Sequence, residues 1–113
     1  MDKLPVIFRA ERSGEFKGQV TAVFPTLPAD YRGRFMTCYA HIGQHSGCGF
    51  DWYRSTRAAK PAEYSDLLRE LRAIYELDEF EPVQPVVYRR MQPAHRREFD
   101  KNLRRQNHPE SFN

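Results

Sequence analysis

Residues 37–53, TCYAHIGQHSGCGFDWY, hold both cysteines of the chain, Cys38 and Cys48, and two of its four histidines, His41 and His45. The spacing C-x2-H-x3-H-x2-C offers paired soft ligands at the intervals with which turns supply a tetrahedral zinc. Two features oppose such a centre. On a strand, Cys38 and His41 fall on opposite faces, because their separation is odd. Only three residues lie between the two pairs, so one small loop would have to enclose the whole ion. The expectation is therefore no bound metal and no cofactor. Cys38 is expected as a small buried apolar residue, as free cysteine usually is, and His41 and His45 as polar residues of a strand and a turn.

The same residues suggest two other chemistries. Cys38 or Cys48 has the type of a nucleophile, with His41 or His45 as its base. His41 and His45 with Tyr39 or Tyr53 have the types needed for metal-free RNA cleavage, which places an acid and a base on opposite sides of a phosphate. No local signature accompanies either arrangement, and no oxyanion donor can be named. A phosphate-binding glycine loop, a dinucleotide fingerprint and a paired-carboxylate motif are all missing from the sequence. The balance falls against an enzyme.

A second cluster is electrostatic. Residues 89–113 carry seven basic side chains, Arg89, Arg90, Arg96, Arg97, Lys101, Arg104 and Arg105, against three acidic ones. The remainder, 1–88, holds 11 basic and 12 acidic residues, so the net charge of +3 belongs to the C-terminal end. On a helix, Arg97, Lys101, Arg104 and Arg105 share one face, at i, i+4, i+7 and i+8. Such a stripe neutralises phosphates without reading sequence. The competing reading is a solvated helix whose Phe99 and Leu103 dock on the domain.

Aromatic residues are plentiful, with eight Phe, six Tyr and one Trp. Most belong in a core. Trp52 and Tyr53, beside Arg54 and Arg57, have the composition of interface anchors and of base-stacking platforms. With His41 and His45 they form the candidate interface.

The elements that must carry these residues follow from periodicity. Residues 5–12 and 16–24 alternate, with Val20, Ala22 and Phe24 on one face, and Ser13-Gly14-Glu15 joins them as a hairpin. Pro25 and Pro28 are expected to stop the second strand. A third strand is expected over 35–42, a Gly-rich loop over 43–49 and a possible fourth strand over 50–55, FDWYRS. In 61–77, Tyr64, Leu67, Leu68, Leu71, Ile74 and Tyr75 recur on one helical face, and Pro61 and Glu63 suit its first turn. A last strand is expected over 83–91, near an edge because of Pro85. A short helix then holds Phe99 and Leu103. The order β-β-β-(β)-α-β predicts an α+β domain, 1–92. Three to five antiparallel strands would carry one main helix on one face, and 93–113 would follow as a basic helical tail.

The opening PVIFRAERSGEFKGQVTAVFPTLPAD is similar to that of HicB-like antitoxins, in which two strands joined by a Gly-containing turn end in a phrase resembling FPTLPAD, residues 24–30. The likeness covers 5–28 and, loosely, 61–90. It implies a partial double-stranded-RNA-binding-like fold, with three strands, a helix and a further strand. Residues 29–60 depart from that pattern, because the family reaches its helix sooner. The DNA-binding module that ends many members has no counterpart here.

Composition sets the remaining bounds. With 113 residues, 40% hydrophobic and 29% charged, the chain has the makeup of one globular domain with its own core. It shows neither a membrane-spanning run nor a signal-peptide core in MDKLPVIFRAERS. Two cysteines make no disulfide framework, and reduced thiols suggest a cytoplasmic protein. The expected function is a small non-enzymatic binding or adaptor protein of a bacterial, phage or mobile-element system. It would be antitoxin-like or inhibitor-like and bind a protein partner. The alternative is a nucleic-acid-binding or RNA-cleaving domain that uses the basic tail and the His-rich loop.

Overall fold

The computed structural model describes residues 3–28, 35–40, 44–77 and 83–107. Its centre is β1, Leu4–Glu11. β2, Val20–Pro28, returns antiparallel to it, with Ile7 opposite Val23 and Ala10 opposite Val20. The tip between them closes through Gly18 N–H donating to Glu11 O and Lys17 N–H to Gly14 O. Gly14 and Gly18 both have positive φ, 84° and 86°, a conformation that other residues rarely adopt. β3, Met36–Ala40, and β4, Gln44–Cys48, extend the sheet on that side, in the order β4-β3-β2-β1.

The other edge of β1 is divided. β5, Thr56–Ala58, runs antiparallel to its C-terminal half, and β6, Val83–Pro85, runs parallel to its N-terminal half. α1 spans Phe50–Ser55, α2 Pro61–Leu77 and α3 Pro93–Asn107, and a single 3-10 turn, Tyr88–Arg90, precedes α3.

The sheet is apolar on both faces. One face, with Leu4, Val6, Phe8, Ala22, Phe24 and Tyr39, packs under Leu67, Leu71 and Tyr75 of α2. Phe8 stacks on Tyr64 with centroids 4.3 Å apart. The opposite face, with Ile7, Val23, Met36, Cys38 and Cys48, packs against Met91 and Phe99, with Trp52 and Tyr53 alongside. The period-2 alternation of β1 and β2 thus feeds two cores. The architecture is α+β, a largely antiparallel sheet carrying its main helix where the apolar periodicity put it.

Four elements differ from the sequence reading. FDWYRS is a helix rather than a strand. Ser55 Oγ donates to Trp52 O at 2.6 Å and Thr56 Oγ1 to Tyr53 O at 2.7 Å, closing its last turn. The strand beside β3 is instead the Gly-containing QHSGC of β4. β2 does not stop at Pro25 but continues to Pro28 across a register shift between Phe24 and Pro28, where an irregularity spares the prolines a ladder donor. The last strand is confined to Val83–Pro85 and is parallel, and the second face of the sheet is covered as well. The covering includes α3, which docks through Phe99, 2% exposed.

That docking predicts a large cost for Phe99→Ala. Loss of a buried aromatic ring should destabilise by about 3–5 kcal/mol, read as a lowered urea midpoint. Arg97→Gln, on the outward side of the same helix, should leave the midpoint within about 0.5 kcal/mol of the parent.

Candidate functional site

The two cysteines sit on neighbouring strands beneath α3. Met36 pairs with Cys48 and Cys38 with Ser46, so the two cysteines are diagonal neighbours. Both cysteines are buried and neither is in a disulfide. Cys48 Sγ lies 3.5 Å from Met36 O. Hydrogen bonding with the Cys38 thiol and burial push the Cys48 thiol well above its ordinary pKa, so it stays protonated at neutral pH. A protonated, buried thiol is a poor nucleophile. His41 lies outside the described residues. His45 belongs to β4, opposite Tyr39 in register, and its side chain lies outside the described residues. Among the described residues, no group of three or more His, Cys, Asp or Glu could hold a metal ion.

Trp52 and Tyr53 are consecutive on α1, and both are half-buried. Trp52 Nε1 donates to Glu11 Oε1 at 2.8 Å, which ties α1 to the end of β1. Tyr53 meets Phe99 edge-on at 5.5 Å, and the Arg9 guanidinium lies 4.3 Å from its ring centroid. Burial raises the pKa of the Tyr53 hydroxyl, and the Arg9 charge partly opposes that. Arg54 is exposed. Arg57 turns away from this group. Its Nη1 and Nη2 meet both carboxylate oxygens of Glu63 at 2.8 and 2.7 Å, a two-pronged pair at the start of α2. The Lys60 backbone N–H also donates to Glu63 at 2.9 Å. The expected interface residues therefore divide between two places, the layer under α3 and the α2 N-terminus.

The basic residues lie on two consecutive elements, the 3-10 turn and α3. Arg89 and Arg90 are exposed on the 3-10 turn, and Arg97 and Lys101 are exposed on α3. None of these four forms an ion pair with another described residue. Arg96 has a different part. It is half-buried, its Nη2 donates to Met91 O at 3.4 Å, and its guanidinium lies 5.9 Å from the Tyr88 ring. Arg104 and Arg105 belong to α3 by backbone, and their side chains lie outside the described residues. Tyr88 Oη donates to Asp100 at 2.9 Å, so one acid of α3 is committed to the turn before it. The order of the arrangement comes from Met91 and Phe99, buried between the turn and the sheet.

Arg9, Tyr88 and Asp100 were not singled out by sequence, yet they hold this region together. Arg9 Nε donates to Thr56 Oγ1 at 2.8 Å, and its Nη2 donates to Thr56 O at 2.7 Å and to Tyr53 O at 3.3 Å. Its sequence signal was the first charge inside the alternating run PVIFRAER. No helix among the described residues is long and apolar enough to cross a membrane. No protein-family model, curated protein or solved structure matches the chain.

Two outcomes follow from this geometry. Cys38 and Cys48 should resist a thiol reagent in the native protein and react fully only in denaturant; rapid native labelling at pH 7 would contradict their burial. The Arg57 hydrogen bonds, and next the Lys60 N–H, depress the Glu63 carboxyl to about 2. A depressed folded pKa contributes stability that is complete above the unfolded value of about 4.5 and is lost as pH falls towards about 2. Glu63→Gln should flatten the stability profile in that window and leave its slope above pH 6 unchanged.

Proposed function

We propose that the protein is a non-enzymatic binding module whose working surface is the 3-10 turn and the outer side of α3. Its ligand is the phosphate backbone of a nucleic acid. The observation that carries this reading is the set Arg89, Arg90, Arg97 and Lys101, exposed and without a described acidic partner, on elements anchored by Met91 and Phe99. The anchoring fixes the backbone that carries the cations before any ligand arrives, which lowers the ordering cost of binding. Arg104 and Arg105 follow on the same helix, at helical spacing from Arg97 and Lys101 in the sequence. Phosphate contacts of this kind supply affinity without base readout. The buried, protonated Cys48 gives no support to a nucleophilic mechanism.

The competing reading, an antitoxin-like or inhibitor-like adaptor for a protein partner in a bacterial or mobile-element system, draws on the HicB-like opening at 5–28. Salt separates the two. Binding to a mixed-sequence duplex or single strand should fall steeply between about 50 and 200 mM salt. Replacing Arg97, Lys101, Arg104 and Arg105 together by Gln should reduce the slope by about 0.7–0.9 for each lost contact and abolish retention. The circular dichroism spectrum should not change. A quadruple variant that binds as the parent does, or a parent that binds neither DNA nor RNA at low salt, would remove this reading and leave the protein-partner one.

A further inference from the structure

β1 gives one edge to two strands that approach from opposite ends. The bonds nearest the meeting point are Ala59 N–H to Phe8 O and Val86 N–H to Val6 O, both 2.9 Å. Beyond them the chain departs on one side into α2 and on the other into the 3-10 turn. A cavity of about 490 Å³ lies where they part. Its size falls in the range of small-molecule sites, and strand ends that diverge across one sheet are a common place for them.

The polar groups of its wall are Arg9, Tyr53, Tyr64, Gln84, Tyr88 and Arg90. No carboxylate is among the described residues lining it. Arg9 is half-buried, and its hydrogen-bond acceptors, Thr56 Oγ1, Thr56 O and Tyr53 O, are all neutral. Burial lowers its pKa, Tyr53 partly opposes that, and the neighbouring charge of Arg12 adds to it. Two acids on the helices beside the cavity are committed elsewhere, Glu63 to Arg57 and Asp100 to the Tyr88 hydroxyl. The cavity wall therefore carries two cations, half-buried Arg9 and exposed Arg90, and no carboxylate of its own, Asp100 standing behind the Tyr88 hydroxyl. Aromatic side chains also line it: Tyr64, with one face stacked on Phe8, Tyr88, and Tyr53, whose ring lies under the Arg9 guanidinium.

We propose that this cavity binds a small organic anion, a phosphate or carboxylate carried on a planar ring. The anionic group meets Arg9 and Arg90, and the ring lies against the tyrosines. Arg90 can meet either oxyanion with a two-pronged hydrogen bond, Arg9 can add its remaining Nη1, and a stacked ring adds affinity that a bare ion lacks. The site goes beyond the α3 surface and shares only the turn that carries Tyr88 and Arg90 with it.

Calorimetric titration of the full chain tests the proposal with four probes. These are adenosine 5′-monophosphate, benzoate, adenosine for a ring without charge, and inorganic phosphate for charge without a ring. Adenosine monophosphate or benzoate should bind saturably, one per chain, and the preferred one identifies the anion as phosphate or carboxylate. Adenosine and inorganic phosphate should each bind about tenfold or more weakly. Arg90→Gln removes a lining cation, and Gln84→Glu sets a carboxylate at an exposed lining position. Each should weaken binding about tenfold while the thermal midpoint holds. The Arg97/Lys101/Arg104/Arg105 variant should retain it, so failure of the nucleic-acid reading and failure of this one are separable. Saturable binding of neither ring-bearing anion overturns the proposal, as does binding that ignores both Arg90→Gln and Gln84→Glu.

Discussion

Every layer of the protein is fastened to β1. Its backbone pairs with β2 on one edge and with β5 and β6 in succession on the other. Its side chains alternate between two cores, with Leu4, Val6 and Phe8 under α2 and Ile7 toward α3. A strand used on both edges and both faces cannot shift register by one residue without exchanging its two apolar sets. Arg9 is the exception within that alternation. It lies at a position where the second face gives way to α1, and there it binds the carbonyls of Tyr53 and Thr56. The charge that interrupts the apolar run thus becomes the link between the sheet and the last turn of a six-residue helix. Carbonyls at a helix C-terminus are a favourable place for a guanidinium.

Two-sided burial also determines what the basic C-terminal region is. A helix held only by its own propensity would be marginal in water at this length. α3 is held by Phe99 and by the turn before it, in which Met91 is buried and Tyr88 bonds Asp100. The apolar side of α3 faces the sheet, and Arg97 and Lys101 remain exposed on the helix.

The legibility of the fold follows the length and periodicity of each segment. α2 was legible to its ends because 17 residues give several turns of consistent apolar spacing and Pro61 marks the start. FDWYRS was not. Six residues fit a strand or a helix equally, and adjacent Trp52 and Tyr53 reach the same layer only when the backbone is helical. QHSGC read as a loop from its glycines, whereas pairing with β3 makes it a strand, a tertiary effect that local composition does not record. The parallel direction of β6 was likewise hidden, since Val83–Pro85 is too short to carry a pattern and its partner is at the other end of the chain. Among the candidate residues, the cations of the turn and α3 could be read from charge and spacing. The capture of Arg57 by Glu63, of Trp52 by Glu11 and of Arg96 by the Tyr88 ring could not, because each depends on which elements meet.

The 3-10 turn is where these constraints converge. β6 runs parallel to β1, so the chain leaves it at the middle of the sheet edge rather than at an end. It must then cross to the second face before α3 can dock. Tyr88–Arg90 makes that crossing, with Arg90 N–H bonded to Val87 O and Met91 N–H to Tyr88 O. Met91 then enters the core, while Tyr88 and Arg90 remain at the divided edge. One short turn therefore supplies a wall of the cavity and the first cations of the α3 surface.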